Sequence, residues 1–323
     1  MLNVYTAHAG ALIHAQASAG EPPAEGIIWF DLLNPTSQEE AWVEAQLGVD
    51  VPTREEMEEI EHSSRLYRRD EALYMTATVI AGSQTMQPES VPLTFLLSGA
   101  CLVTVRYAEL QPFRNVETRL SRHRPGTTLD GEATLLILLD AIIDRVADLL
   151  EAVGHEVDVM SQEIFRTDRS RSADTDFQAM ICRIGRNNDL TSRARESIMT
   201  MTRLFGFLSS MGDYSEGESA LRLGMLHRDA ASLSDHAAFL SNKLTFLLDA
   251  SLGMINIEQN AIIKIFSVAA VVLLPPTLIA SIYGMNFRVM PELEWSFGYP
   301  FAIALMLISI GLTYAYFKRR RWL

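Results

Sequence analysis

Two stretches near the C-terminal end carry no charged residue: residues 265–282, IFSVAAVVLLPPTLIASI, and residues 299–317, YPFAIALMLISIGLTYAYF. Each approaches the ~20 residues that an α-helix needs to cross a ~30 Å hydrocarbon core. Upstream of them the pattern has a different period. Leu226, Leu233, Leu240, Leu247, Met254 and Ala261 fall seven apart, with Ala230, Ala237, Leu244, Ser251 and Glu258 as a companion line four residues on. That heptad stripe predicts a long helix from residue 219, continuing into the first apolar run. Residues 130–164 and 175–211 also read as helices, separated by the polar TDRSRSAD. The N-terminal third holds short runs of β-forming residues bounded by turn signals instead. GIIWFDLLNPT (26–36) predicts a strand ending in a turn, EALYMTATVI (71–80) another, and VPLTFLLSGACLVTVRY (91–107) a pair around Ser98-Gly99. Thr53 with Glu56 three residues later has the spacing of a helix capping box.

Charge orients the two apolar runs. Lys318, Arg319, Arg320 and Arg321 crowd the end of the second, and Lys264 precedes the first. The connecting loop carries Arg288 against Glu292 and Glu294. The positive-inside bias then predicts cytoplasmic termini and an external loop. Trp295 and Tyr299 at one rim, with Tyr314, Tyr316 and Trp322 at the other, match interfacial aromatic belts. Pro275-Pro276 removes two backbone donors within the first run, so a local bend or loosened ladder is expected, with the freed carbonyls turned to a helix or to water.

Composition narrows the chemistry. The net charge is -13, and residues 39–61 hold nine carboxylates against Arg54 alone, a balance opposed to nucleic-acid binding. Two cysteines, Cys101 and Cys182, make no disulfide framework. The seven histidines have no close metal-ligand spacing, and no phosphate-binding glycine loop is present, so no tightly bound cofactor and no enzymatic activity are expected. The opening MLNVYTAHAGALIHAQ has no basic segment and only a weak apolar run, which places the N-terminal mass in the cytoplasm.

Polar residues recur along the first apolar run and its approach: Asn260, Ser267, Thr277, Ser281 and then Asn286. Several copies of this helix around one axis would stack them into rings. The turn after it reads YGMNF, with MPEL following after three intervening residues beyond the asparagine. Two C-terminal spans, this extended motif between them and a basic tail resemble the CorA family of divalent-cation channels. The likeness is tightest over residues 260–323 and reaches more loosely to WFDLLNPT and LVTVR.

The resemblance implies an α/β cytoplasmic funnel domain, long stalk helices and two C-terminal transmembrane helices in a homopentamer. The corresponding divisions are a funnel domain over 1–126, a helical hairpin region over 127–218 and a stalk continuing into the first span over 219–282. An external loop (283–298), the second span (299–317) and a basic tail (318–323) follow. Gly284, Met285 and Asn286 match the signature at the external mouth, where asparagines engage hydrated Mg²⁺. Asn260 and Thr277 match polar pore positions, joined by Ser267 and Ser281. Leu274 and Ile263, with Phe266 beside them, match apolar constrictions. Glu292 and Glu294 would concentrate cations outside. The implied function is passive Mg²⁺ uptake across the inner membrane, extending to Co²⁺ or Ni²⁺, with cytoplasmic Mg²⁺ as regulatory ligand. A Zn²⁺ or Co²⁺/Ni²⁺ transporter of the same architecture, or a non-conducting cation sensor or scaffold, are the alternatives. No sensor carboxylate is assigned.

Overall fold

The computed structural model describes residues 1–8, 11–17, 26–59, 61–82, 88–121, 129–165, 176–211, 217–286, 290–291 and 295–320. It divides into two compact units, 1–248 and 249–323.

The first unit is built on a seven-stranded mixed sheet. Its strands are β1 (Leu2–His8), β2 (Ala11–Ala17), β3 (Ile27–Leu33), β4 (Leu66–Arg69), β5 (Ala72–Ala81), β6 (Glu89–Ser98) and β7 (Cys101–Arg106). They lie in the order β2-β1-β3-β7-β6-β5-β4, with β3 and β7 parallel and every other neighbour antiparallel. All ten residues of β5 are buried, which explains its near-continuous apolar and threonine composition. The runs of β-forming residues and their turn signals located β3, β5, β6 and β7. They missed the β1–β2 hairpin and β4. Four residues of β2 in a row, Ile13 to Gln16, are exposed at the sheet edge, so no strict alternation marks it.

Short helices α1 (Ser37–Leu47), α2 (Arg54–Glu58) and α3 (His62–Arg65) follow β3, and α4 (Gln111–Leu120) follows β7. Thr36 and Thr53 each begin a helix with a full capping box. Glu39 and Glu56 return the bond to the cap backbone at 2.8 Å in both. Such a cap is worth ~1 kcal/mol. The Thr53–Glu56 pair was legible from its spacing.

Three long helices complete the unit: α5 (Gly131–Ile164), α6 (Phe177–Ser210) and the first part of α7 (Gly217–Tyr283). Arg183 of α6 bonds Glu156 at 2.8 Å and Glu163 at 2.6 Å on α5, and Lys243 of α7 bonds Asp158 at 2.6 Å. The heptad stripe is the packed face of α7. Leu226, Ala230, Ala237, Leu240, Leu244 and Leu247 are buried, and Leu233 is half-buried. Farther along, Met254, Glu258 and Ala261 are exposed, so the stripe's packing role ends near Ser251.

The second unit holds the remainder of α7 and the helix α8 (Gly298–Arg319). Both helices are long and apolar enough to cross a membrane, with mean hydropathies of 2.2 and 1.8 in their most apolar windows. Helical structure continues without a break through Pro275 and Pro276. The two prolines still leave the carbonyls of Val271 and Val272 without backbone donors.

Candidate functional site

Asn260, Ser267, Thr277 and Ser281 fall into one register. Gly253, Asn256, Asn260, Ile263, Ser267, Ala270, Leu274, Thr277, Ser281 and Gly284 succeed one another in alternating steps of three and four. On one continuous α-helix such a series stays on one face, drifting by only ~20° per heptad. Every one of the ten is exposed, Ile263 at 62% and Leu274 at 67%. This seam mixes amides, hydroxyls and glycine with two bulky aliphatic side chains. Asn256 and Ala270 were not singled out from the sequence, whereas Gly253 stood out as an interruption of the long helix. Asn256 sits one turn before Asn260, and that spacing was the available signal; Ala270 has no chemistry to mark it. Phe266, 72% exposed, falls outside the alternation and flanks the seam beside Ser267.

The hydroxyl of Thr277 donates to the carbonyl of Leu273 at 2.7 Å. Its hydrogen is therefore committed, and its oxygen faces outward as an acceptor only. The carboxamides of Asn260 and Asn286 are exposed and make no hydrogen bond among the described residues. Between Lys264 and Lys318, no described residue carries a formal charge. No group of three His, Cys, Asp or Glu is placed to hold a metal among the described residues. This surface can accept hydrogen bonds from water bound to an ion, and it offers no cage that would replace that water.

At the end of α7 the chain closes without a left-handed glycine. The Gly284 amide donates to Ala280 at 2.9 Å and the Met285 amide to Ile282 at 3.2 Å, so the last turn tightens from i-4 to i-3 bonding. Neither Gly284 nor Asn286 has positive φ. The helix thus terminates at this triplet without a left-handed residue. The need for glycine here is one of space: an added Cβ would stand 3.2 Å from the Ala280 carbonyl oxygen. Met285 is 49% exposed. Glu292, Glu294 and Arg288 lie outside the described residues. At the head of α8, Trp295 packs against Phe297 and Phe301 with ring centroids 6.2 and 5.9 Å away.

Comparison with known proteins accounts for both units together. The family model described as CorA-like Mg²⁺ transporter protein matches residues 24–319. Magnesium transport protein CorA of Yersinia pseudotuberculosis serotype I (strain IP32953) is 35% identical over 325 residues, covering 100% of both chains. The Escherichia coli (strain K12) protein of that name is 34% identical over the same length and coverage. Among solved structures, the complete CorA magnesium transporter from Methanocaldococcus jannaschii aligns with a TM-score of 0.79. It covers 100% of this chain and 99% of that one at 17% identity, a likeness of fold. An α/β unit, a long helix running into the first apolar segment and a second apolar helix are thus one shared architecture, and the chain belongs to the CorA family.

Proposed function

We propose that this protein is a passive Mg²⁺ channel of the inner membrane, assembled from five identical chains around the seam of α7. The observation that carries the reading is the unbroken three-four register from Gly253 to Gly284, uncharged throughout and ending at Gly-Met-Asn. Two membrane helices cannot enclose an aqueous path alone, whereas a ring of identical helices turns each seam residue into a ring of oxygens or of methyl groups. The full-length relatives named for magnesium transport support the choice of ion.

Mg²⁺ dehydrates reluctantly and usually keeps several waters. Asn286 carboxamide oxygens at the outer mouth accept hydrogen bonds from that water shell without stripping it. Being neutral, they release the ion as readily as conduction requires. Thr277 and Asn260 repeat the contact along the path, with Ser267 and Ser281 between. Ile263 and Leu274, flanked by Phe266, form apolar girdles that close the path by dewetting when the helices draw together. Outside, Glu292 and Glu294 raise the local cation concentration against the opposing Arg288. Residues 1–126 and 127–218 form the cytoplasmic funnel, 219–282 the stalk and pore helix, and 299–317 the outer helix, with both termini cytoplasmic. Cytoplasmic Mg²⁺ bound between acidic faces of neighbouring chains holds the assembly closed, and Co²⁺ and Ni²⁺ share the path.

The test is ion flux into proteoliposomes with matched Mg²⁺, Co²⁺, Ni²⁺ and Zn²⁺ gradients, each with and without a pH gradient. The parent protein should carry Mg²⁺ regardless of the pH gradient. Asn286→Ala should lose on the order of tenfold or more of that flux with the oligomer intact, because several hydrogen bonds worth ~1 kcal/mol each disappear together. Unchanged Mg²⁺ uptake in the variant rejects the assigned mouth. Zn²⁺ flux that requires a proton gradient replaces the channel with a coupled transporter, and no flux above empty vesicles leaves a scaffold.

A further inference from the structure

A groove of about 550 Å³ opens between α6 and α7, apart from the residues of the ion path. Small-molecule sites occupy ~300–1,000 Å³. The α6 wall of the groove has an ordered composition. Arg195 and Arg203 are eight residues apart, so their Cα atoms stand ~12 Å apart along the helix axis. Met199 lies one turn from each and is 48% exposed, and the buried Ile198 lines the groove beside it. The Ser192 hydroxyl donates to the Asn188 carbonyl at 2.9 Å and the Thr202 hydroxyl to that of Ile198 at 2.8 Å. Their hydrogens are committed, so both oxygens meet the groove as acceptors. Ser234 lines it from α7. Glu196 is held by the Ser90 hydroxyl at 3.0 Å. Arg183 and Arg193 of the same helix bind carboxylates, whereas Arg195 has no carboxylate partner among the described residues. Solvation accounts for each cation singly. It does not account for an apolar floor between two of them in a concave wall.

We infer that this groove binds a small aromatic phosphate monoester, of the class of a nucleoside monophosphate. Guanidinium groups take phosphate oxygens through paired, charge-assisted bonds. A methionine sulfur makes favourable contacts with an aromatic ring. The acceptor oxygens of Ser192 and Thr202 suit the hydroxyls of a sugar. Two arginines against one glutamate leave the lining a single positive charge, which matches one phosphate and not a triphosphate. Every lining residue belongs to the first unit, so the inference is independent of whether the α7 seam conducts.

The experiment is equilibrium dialysis of the full-length protein in uncharged detergent and Mg²⁺-free buffer. Radiolabelled adenosine monophosphate, adenosine, adenosine triphosphate and inorganic phosphate serve as separate probes. The parent should bind the monophosphate on the order of tenfold more tightly than adenosine or inorganic phosphate, since each lacks one of the two recognised parts. Arg195→Gln and Arg203→Gln together should remove on the order of tenfold of the monophosphate affinity and leave adenosine unaffected. Met199→Ala should weaken the monophosphate about twofold to tenfold and leave inorganic phosphate unaffected. Absence of monophosphate binding overturns the proposal, as does undiminished binding by the double glutamine variant. Inorganic phosphate bound as tightly as the monophosphate also overturns it, since the groove would then take free anions. Tighter binding of the triphosphate overturns the assignment to a single phosphate. Mg²⁺ flux measured separately in nucleotide-free vesicles keeps failure here distinct from failure of the channel reading.

Discussion

Arg106 grips Asp31 through two parallel bonds, Nε to Oδ1 at 2.9 Å and Nη2 to Oδ2 at 2.8 Å, across the parallel strands β7 and β3. Both side chains are almost wholly buried. Thr104 and Asn3 supply further donors to the carboxylate at 2.9 and 3.2 Å, and Phe113 lies under the guanidinium at 4.4 Å. Burial alone would lower the Arg106 pKa, but the bonds to Asp31 outweigh it and hold the group firmly charged. Arg106→Met should therefore cost ~3–5 kcal/mol, since it strands a buried carboxylate. Combining it with Asp31→Leu should recover part of the loss. Chemical denaturation of the parent, both single variants and the double variant measures the coupling. Additive losses would contradict it.

Gly131 marks the point where α5 meets the β6–β7 turn. Its amide donates to Ala100 at 2.7 Å, and an added Cβ would lie 2.6 Å from the Leu102 nitrogen and 2.7 Å from the Ala100 oxygen. Backbone atoms cannot swing aside. Gly131→Ala should destabilise by ~1–3 kcal/mol. Gly185→Ala, inside α6 with nothing within 4 Å, should stabilise by up to ~1 kcal/mol. Thermal unfolding of the two variants should therefore move in opposite directions.

Asp140, Asp144 and Asp148 repeat every four residues along α5. Partial burial, then the charges of Asp140, Asp148 and Asp229, raise the Asp144 carboxyl above its ordinary range, against the lowering effect of Arg119. The folded protein thus takes up this proton at a higher pH than the unfolded chain. Stability from this group is lowest above the folded pKa and recovers as pH falls through it. Asp144→Asn should be more stable than the parent at pH 7.5 by a few tenths of a kcal/mol, as for relief of like charges at this spacing. The advantage should shrink toward pH 4. Melting curves across that range check the sign.

Leu274 is one of the two bulky aliphatic residues on the exposed seam. If it closes the path by dewetting, Leu274→Ser should leave a Mg²⁺ leak under high cytoplasmic Mg²⁺, where the parent is shut. Electrical recording from planar bilayers reads this directly. A variant as tight as the parent would move the gate to Ile263.

Gly284→Ala separates space from backbone freedom at the motif. With no positive φ to accommodate, the variant should fold with a stability change under ~1 kcal/mol, needing only a small shift from the 3.2 Å contact. If the proposed mouth lies here, its Mg²⁺ flux should fall, because the added methyl would narrow it. Loss of folding would show that glycine serves the helix end instead.

Much of this protein is written in periods that need no tertiary context. Eighteen- and nineteen-residue uncharged runs demand lipid or a core whatever surrounds them, and the seven-residue recurrence from Leu226 to Leu247 demands a packed helical face. Thr53 and Glu56 form a cap because both partners lie within one turn. The rest required neighbours distant in sequence. β2 is a strand because β1 offers it an edge; its own residues barely alternate. Asp31 and Arg106, seventy-five residues apart, become partners only when β3 and β7 run side by side. The YGMNF motif pointed to a mouth from sequence alone, yet a string of letters holds no φ angle. Only the folded turn shows that the helix ends at Gly284 without a left-handed residue, because backbone conformation at a helix end is decided by the bonds the whole turn can close.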